Sequence, residues 1–168
     1  MNRKGFTMIE LLAVIVVLGI VLIITFPNIS DIFKGSKLKS EEAFMDRISQ
    51  SIDSYVTLNS SSIGFLEDGT AIKNYGGSNH SVNVYKGTIT IEDIINEGII
   101  TEKDYKNPGN ENGDCKKETE IEVYRDSDYV YCHKIKKDSL EKCLTEDYII
   151  DKNKVSEEYI VNTCTWTK

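Results

Sequence analysis

The sequence predicts an α+β protein: a long N-terminal α-helix, apolar and transmembrane over its first half and amphipathic over its second, packed on a small antiparallel β-sheet head. Three observations carry that reading. Leu11 to Phe26 reads LLAVIVVLGIVLIITF, interrupted only by Gly19 and Thr25. Ala43, Phe44, Ile48, Ile52, Tyr55 and Val56 then recur at helical spacing. Beyond Asn59 the chain breaks into short apolar segments divided by turn residues, and all four cysteines lie in the last third.

Taking the elements in order, the apolar stretch from Phe6 to Phe26 is 21 residues long, and at ~1.5 Å per residue it spans about 30 Å, the thickness of a bilayer core. Arg3 and Lys4 precede it and Asp31 is the first charge after it, which places the short N-terminus in the cytoplasm and exports the rest. Glu10 is the only ionisable side chain between Gly5 and Ser30. Pro27 has no N–H for the carbonyl of Ile23, so a kink is expected there. In the amphipathic half, Glu41, Glu42, Asp46, Arg47 and Asp53 are expected opposite the apolar stripe. The helix ends at Asn59-Ser60-Ser61-Ser62.

From there to about Asn112 the chain is rich in turn signals, among them Asp68-Gly69, Gly76-Gly77-Ser78 and Pro108-Gly109. Within it, Thr90 to Gly98 reads as a short helix, with Thr90 as N-cap, Asp93 closing a capping box and Gly98 as the stop. Asn107 to Asp114 carries oxygen ligands at Asn110, Glu111, Asn112 and Asp114. Their spacing is not that of an EF-hand, so the segment reads as a solvated turn. Glu120–Arg125 and Tyr129–Lys134 form a hairpin across Asp126-Ser127-Asp128, and Leu140, Cys143 and Leu144 form one helical turn. Tyr159 to Trp166 reads as a final strand, partly central in the sheet. Tyr124, Tyr129 and Tyr131 are read as strand packing rather than a sugar-binding patch.

The 168 residues carry a net charge of −7. Such acidity disfavours nucleic-acid backbones as partners of the head. Cys115, Cys132, Cys143 and Cys164 contain no C-x-x-C pair, so a zinc or redox motif is not supported. In an exported head they suggest two disulfides. Four cysteines allow three connectivities; sequence neighbours, Cys115 with Cys132 and Cys143 with Cys164, are the expected pairs. The sequence holds no G-x-S-x-G, no H-E-x-x-H and no phosphate-cradling glycine loop. No catalytic residue, metal or cofactor is therefore expected.

A secretory signal would end its apolar run in a small-x-small cleavage site, and Thr-Phe-Pro-Asn-Ile-Ser offers none. A plain anchor requires no acidic residue. Glu10 also fits a T-x-x-E capping box with Thr7. The stretch Lys4-Gly5-Phe6-Thr7-Met8-Ile9-Glu10-Leu11-Leu12 resembles the class III signal of type IV pilins and type II secretion pseudopilins. That resemblance covers about the first thirty residues. It implies cleavage by a prepilin peptidase between Gly5 and Phe6, N-methylation of Phe6, an assembly role for Glu10, and Pro27 as the helix interruption. The expected organisation is a cleaved leader (1–5), a transmembrane and filament-core helix (6–27), an amphipathic helix of the head (28–58) and a globular, disulfide-bearing head (59–168).

The function so implied is structural. The chain is expected to be a single-pass membrane precursor that assembles with like subunits and minor pilins into an extracellular filament, through inner-membrane assembly machinery, for adhesion or motility. The alternatives are a pseudopilin of a secretion or DNA-uptake apparatus and, more distantly, a membrane-tethered binding domain that never polymerises.

Overall fold

In a computed structural model of the chain, residues 7–110, 112–152 and 158–166 are described, except for the side chains of 25–30 and 151–152. The chain divides into two compact units, Met1–Lys37 and Leu38–Lys168. Helix α1 (Met8–Asn59) runs through both.

In the first unit, α1 is apolar on every side from Leu11 to Ile24. Each Leu, Ile and Val from Leu11 to Ile24 is 48–76% exposed, although a helix hydrophobic all round is ordinarily buried in a core or a membrane. Among the described residues no helix is long and apolar enough to cross a membrane. The described side chains of the apolar stretch stop at Ile24, short of the Phe6–Phe26 run on which the transmembrane expectation rests.

In the second unit, α1 is followed by β1 (Leu66–Tyr75), β2 (Ser78–Thr90), α2 (Ile91–Asn96), β3 (Glu120–Asp126), β4 (Tyr131–Lys136), α3 (Lys137–Leu140), α4 (Glu146–Lys152) and β5 (Tyr159–Asn162). The five strands form one antiparallel sheet in the order β1-β2-β3-β4-β5. Phe44, Met45, Ile48, Ile52 and Val56 of α1 join Ile89, Ile121, Val123 and Ile135 of the sheet in the main core, with Ile91 and Ile94 of α2. The stripe differs from the expected one at its start: Ala43 is exposed, while Met45 and Glu41 are buried. A second, smaller cluster covers the outer face of the sheet: Ala71, Val82, Val84, Tyr124, Cys132 and Trp166.

Helix α2 forms as expected. The Thr90 side chain accepts from Asp93 N, Asp93 accepts from Thr90 N at 2.7 Å, and Gly98 takes φ +76°. The hairpin β1–β2 lies where only turns were expected. Gly76 and Gly77, at φ +57° and +87°, make the two-residue turn that matches strand twist and that residues with a Cβ reach only under strain. β4 begins at Tyr131 because Tyr129, at φ +62°, belongs to the turn. β5 pairs only with β4 and is an edge strand, not a central one. It ends at Asn162, short of the expected Trp166.

Two disulfides form, but not between sequence neighbours. Cys115 bonds Cys143, and Cys132 bonds Cys164. Strand parity explains the correction. Successive side chains on β4 point to opposite faces; His133 and Ile135 face α1, so Cys132 faces outward into the second cluster. Cys115 and Cys143 sit with the main core. The sheet separates Cys115 from Cys132, so their proximity in sequence counts for nothing. Non-reducing peptide mapping is expected to recover Cys115–Cys143 and Cys132–Cys164 linked peptides; a Cys115–Cys132 peptide would overturn this arrangement.

Candidate functional site

At the head of α1, Thr7 and Glu10 form a capping box. Thr7 N donates to Glu10 Oε2 at 2.8 Å, and Glu10 N donates to Thr7 Oγ1 at 3.3 Å. This satisfies two of the amides that a helix start leaves without partners. Gly5 and Phe6 lie outside the described residues, as does the side chain of Pro27, through which α1 continues.

The head contains two polar clasps that sequence reasoning missed. In the first, Glu41 of α1 is fully buried. Its carboxylate accepts from Asn107 Nδ2 at 2.7 Å and Thr145 N at 2.7 Å, and also from the Thr145 hydroxyl. Asn107 Nδ2 further donates to Cys143 O at 2.9 Å, and its Oδ1 accepts from Gly109 N at 2.9 Å. The oxygen-rich loop is thus anchored at Asn107, which is buried rather than solvated. Glu111 lies outside the described residues. Among the described residues no group of three or more His, Cys, Asp or Glu side chains is placed to hold a metal. Beside the loop lies a cavity of about 620 Å³, whose lining includes Lys103, Tyr105, Lys106, Asn110, Asp114 and Lys117.

In the second clasp His133, 1% exposed, bonds α1 through both ring nitrogens. Nδ1 is 2.9 Å from Asp53 Oδ1 and Nε2 is 2.8 Å from Ser49 Oγ. With Asp53 as acceptor, Nδ1 carries the proton and Nε2 accepts from the serine. The order Ser–His–Asp is that of a hydrolytic triad. Ser49, however, lies in the interior of α1, where backbone N–H groups are already committed to the i−4 carbonyls. The α1 amides around Ser49 are therefore not available to an oxyanion. The arrangement is a clamp between helix and sheet, extended by Thr163 Oγ1, which accepts from His133 N at 2.8 Å.

On the outer face, Glu122 accepts from Lys86 at 2.8 Å and from Tyr124 at 2.8 Å, with Lys136 at 3.3 Å. Lys73 pairs with Asp126, both buried. Asp126 Oδ1 also accepts from Asp128 N and Val130 N, each at 2.9 Å, and so shapes the β3–β4 turn. Tyr124 packs edge-on to Trp166 on the outer face, while Tyr131 lies against Phe65 on the other.

A two-step acid response of the head is expected from these groups. Burial lowers the His133 pKa, opposed by the charge and hydrogen bond of Asp53. A basic group lowered in the fold contributes stability that is present above its unfolded value near 6.5 and is lost as pH falls below it. Burial raises Glu122, but Lys86, Tyr124 and Lys136 outweigh it and hold the carboxyl at about 2. That contribution is present above about 4.5 and lost toward 2. Melting temperature is therefore expected to fall first below pH 6.5 and again below 4.5. Asp53→Asn removes the opposing charge and should deepen the first step only; an unchanged first step would exclude His133 as its source.

Comparison with known proteins finds that residues 1–26 match the family described as the prokaryotic N-terminal methylation motif. The N-terminal segment is thus similar to the methylation segment of type IV pilins and pseudopilins. The chain is also 38% identical over 55 residues to the ComG operon protein 3 homolog of Bacillus licheniformis; the match takes in 33% of this chain and 57% of that protein. The chain thus spans less than two thirds of that relative's length. No solved structure matches.

Proposed function

We propose that this chain is a pilin-type structural subunit that assembles into a filament at the cell surface through α1. The observation that carries the reading is the methylation motif over residues 1–26, set on a helix whose described apolar side chains are exposed on every side up to Ile24. Exposed apolar surface on that scale demands a cover. The bilayer covers it before assembly, with Phe6–Phe26 as the span, and the helices of like subunits cover it afterwards. A prepilin peptidase cuts between Gly5 and Phe6, Phe6 is N-methylated, and inner-membrane assembly machinery adds the subunit to the filament beside like subunits and minor pilins. Cleavage removes Arg3 and Lys4, leaving 18 basic against 27 acidic side chains.

A pseudopilin of a secretion or DNA-uptake apparatus is the second reading. It is kept open because the motif is common to both groups and two thirds of the chain lies outside the match to the ComG operon protein 3 homolog. Filament length under the microscope separates the two. The processing test applies to both. The intact mass of the mature chain is expected to begin at Phe6, with one methyl group added and four cysteine hydrogens lost. A mature pool that begins at Met1 or Asn2 would sink the proposal.

A further inference from the structure

On the helix side of the sheet, beside the β3–β4 turn, stands a cation that no carboxylate meets among the described residues. The guanidinium carbon of Arg125 lies 4.8 Å from the ring centroid of Tyr85, 4.9 Å from that of Tyr129 and 5.3 Å from that of Phe65. Its Nε is buried without an acceptor, and among the described residues no carboxylate pairs with it. Lys73, Lys86 and Lys136 of the same sheet each meet an acid, and Lys134 stands over the rings of Tyr124, Tyr159 and Trp166 on the outer face. Asp126, the next residue, is unavailable: Lys73 and the amides of Asp128 and Val130 occupy its oxygens. Arginine stays ionised and carries five donors, and ring faces stabilise its charge without using those donors.

The turn supplies an independent observation. Tyr129 is the one non-glycine residue with positive φ among the described residues, at +62°. The Asp126 carboxylate and the backbone bonds of the turn would hold equally well around Gly or Asn, which reach that conformation with little strain. A bulky residue kept there against strain is retained for its side chain. That side chain lies over Arg125 and is 68% exposed, with Val130 beside it 48% exposed.

We infer that Arg125 with Tyr129 and Tyr85 is a docking point for an acidic side chain of a second copy of this chain. The inference rests on the filament reading above. Arginine and tyrosine are the residues that concentrate binding energy at the centre of protein interfaces. A carboxylate entering beside the rings would complete a bidentate pair in a partly desolvated setting. Charge selects the occupant: with 27 acidic against 20 basic side chains, every copy carries surplus carboxylates, and among the described residues none meets Arg125. Heads of like net charge repel one another, and this contact supplies a fixed point of attraction between them.

The test uses the full-length chain in cells that assemble it. A photo-crosslinking amino acid in place of Val130 should, on irradiation of filaments, link to an acid-bearing segment of the same sequence. Tyr129→Gly relieves the backbone, so its melting temperature should not fall, yet filament yield should drop several-fold. Arg125→Glu should lower yield further, and Arg125→Lys, which keeps the charge but not the planar fork, should lie between. Crosslinks to a different protein or to a glycan, or wild-type filaments matched by Tyr129→Gly, would overturn this contact alone. A wild-type chain that is cleaved but never sediments as a filament would overturn the filament reading and this contact with it.

Discussion

Glu10→Gln is expected to be exported and cleaved between Gly5 and Phe6 but to enter filaments at least about tenfold less than wild type. Two roles compete for this residue. In the single chain Glu10 closes the capping box with Thr7, using Oε2, and a glutamine can do the same. Losing a cap costs about 1 kcal/mol of helix stability. The assembly role is different in kind. A carboxylate in the apolar layer costs roughly 2.5–3.5 kcal/mol even on the lenient insertion scale. The amine created at Phe6 of an adjacent subunit, ~4 Å away, would return about 4 kcal/mol at an effective dielectric of 20. Glutamine caps but cannot neutralise an amine, so each subunit would bury an unpaired ammonium. A shortfall of ~1.4 kcal/mol is already tenfold in an equilibrium. Glu10→Val should behave like the glutamine variant and Glu10→Asp should fall between, while membrane insertion of the Gln and Val variants is unimpaired because removing a charge eases it, and that of the Asp variant is unchanged because the charge is kept. The sheared filament fraction measured against total membrane-bound chain decides the matter: glutamine incorporation equal to wild type would leave Glu10 as a helix cap only.

What could be read from the sequence was what is encoded locally. The end of α1 at Asn59, the Thr90–Asp93 cap with the Gly98 stop, and the strands on either side of Asp126-Ser127-Asp128 each depend on residues within a few positions of one another. Strand β1, LEDGTAIKNY, has only three apolar aliphatic residues and buries Ala71 and Lys73. A buried lysine reads as a surface residue until its partner is known, and Asp126 is 53 positions away. The cysteines failed for a related reason: face, not spacing, decides the pairing, and the face of Cys132 is set by the register of β4 against β3 and β5. The two clasps were hidden the same way. By sequence Asp53 and Glu41 belong on the solvent side because charge is normally exposed, yet Asp53 reaches back to His133 while Glu41 is buried outright.

Glu41→Ala is expected to lower the melting temperature of the head in the detergent-solubilised full chain by roughly 10 °C. The carboxylate receives three donors, Asn107 Nδ2, Thr145 N and the Thr145 hydroxyl. Asn107 Nδ2 keeps Cys143 O, so the largest loss falls on Thr145, whose amide and hydroxyl both point at the deleted group. Leaving a buried donor without a partner costs about 1–3 kcal/mol, and the side-chain cavity adds to it. A total of ~3 kcal/mol is a large share of the stability of a domain this size, and at a few degrees per kcal/mol it gives the stated shift. Thr145 also precedes α4, where Tyr148 N donates to its Oγ1 at 3.3 Å; the loss of Glu41 should therefore loosen α4 and the Asn107 loop together. Limited proteolysis should cut the variant within 107–114 and near Thr145 before any other site in the head. Glu41→Gln keeps an acceptor for one donor but turns an amide toward the others, and about half the loss is expected. Asn107→Ala combined with Glu41→Ala should cost less than the two single changes added, because each already breaks the bond they share. Strict additivity, or a Glu41→Ala head that melts within ~1 kcal/mol of wild type, would show that the buried carboxylate does not hold the loop to the helix.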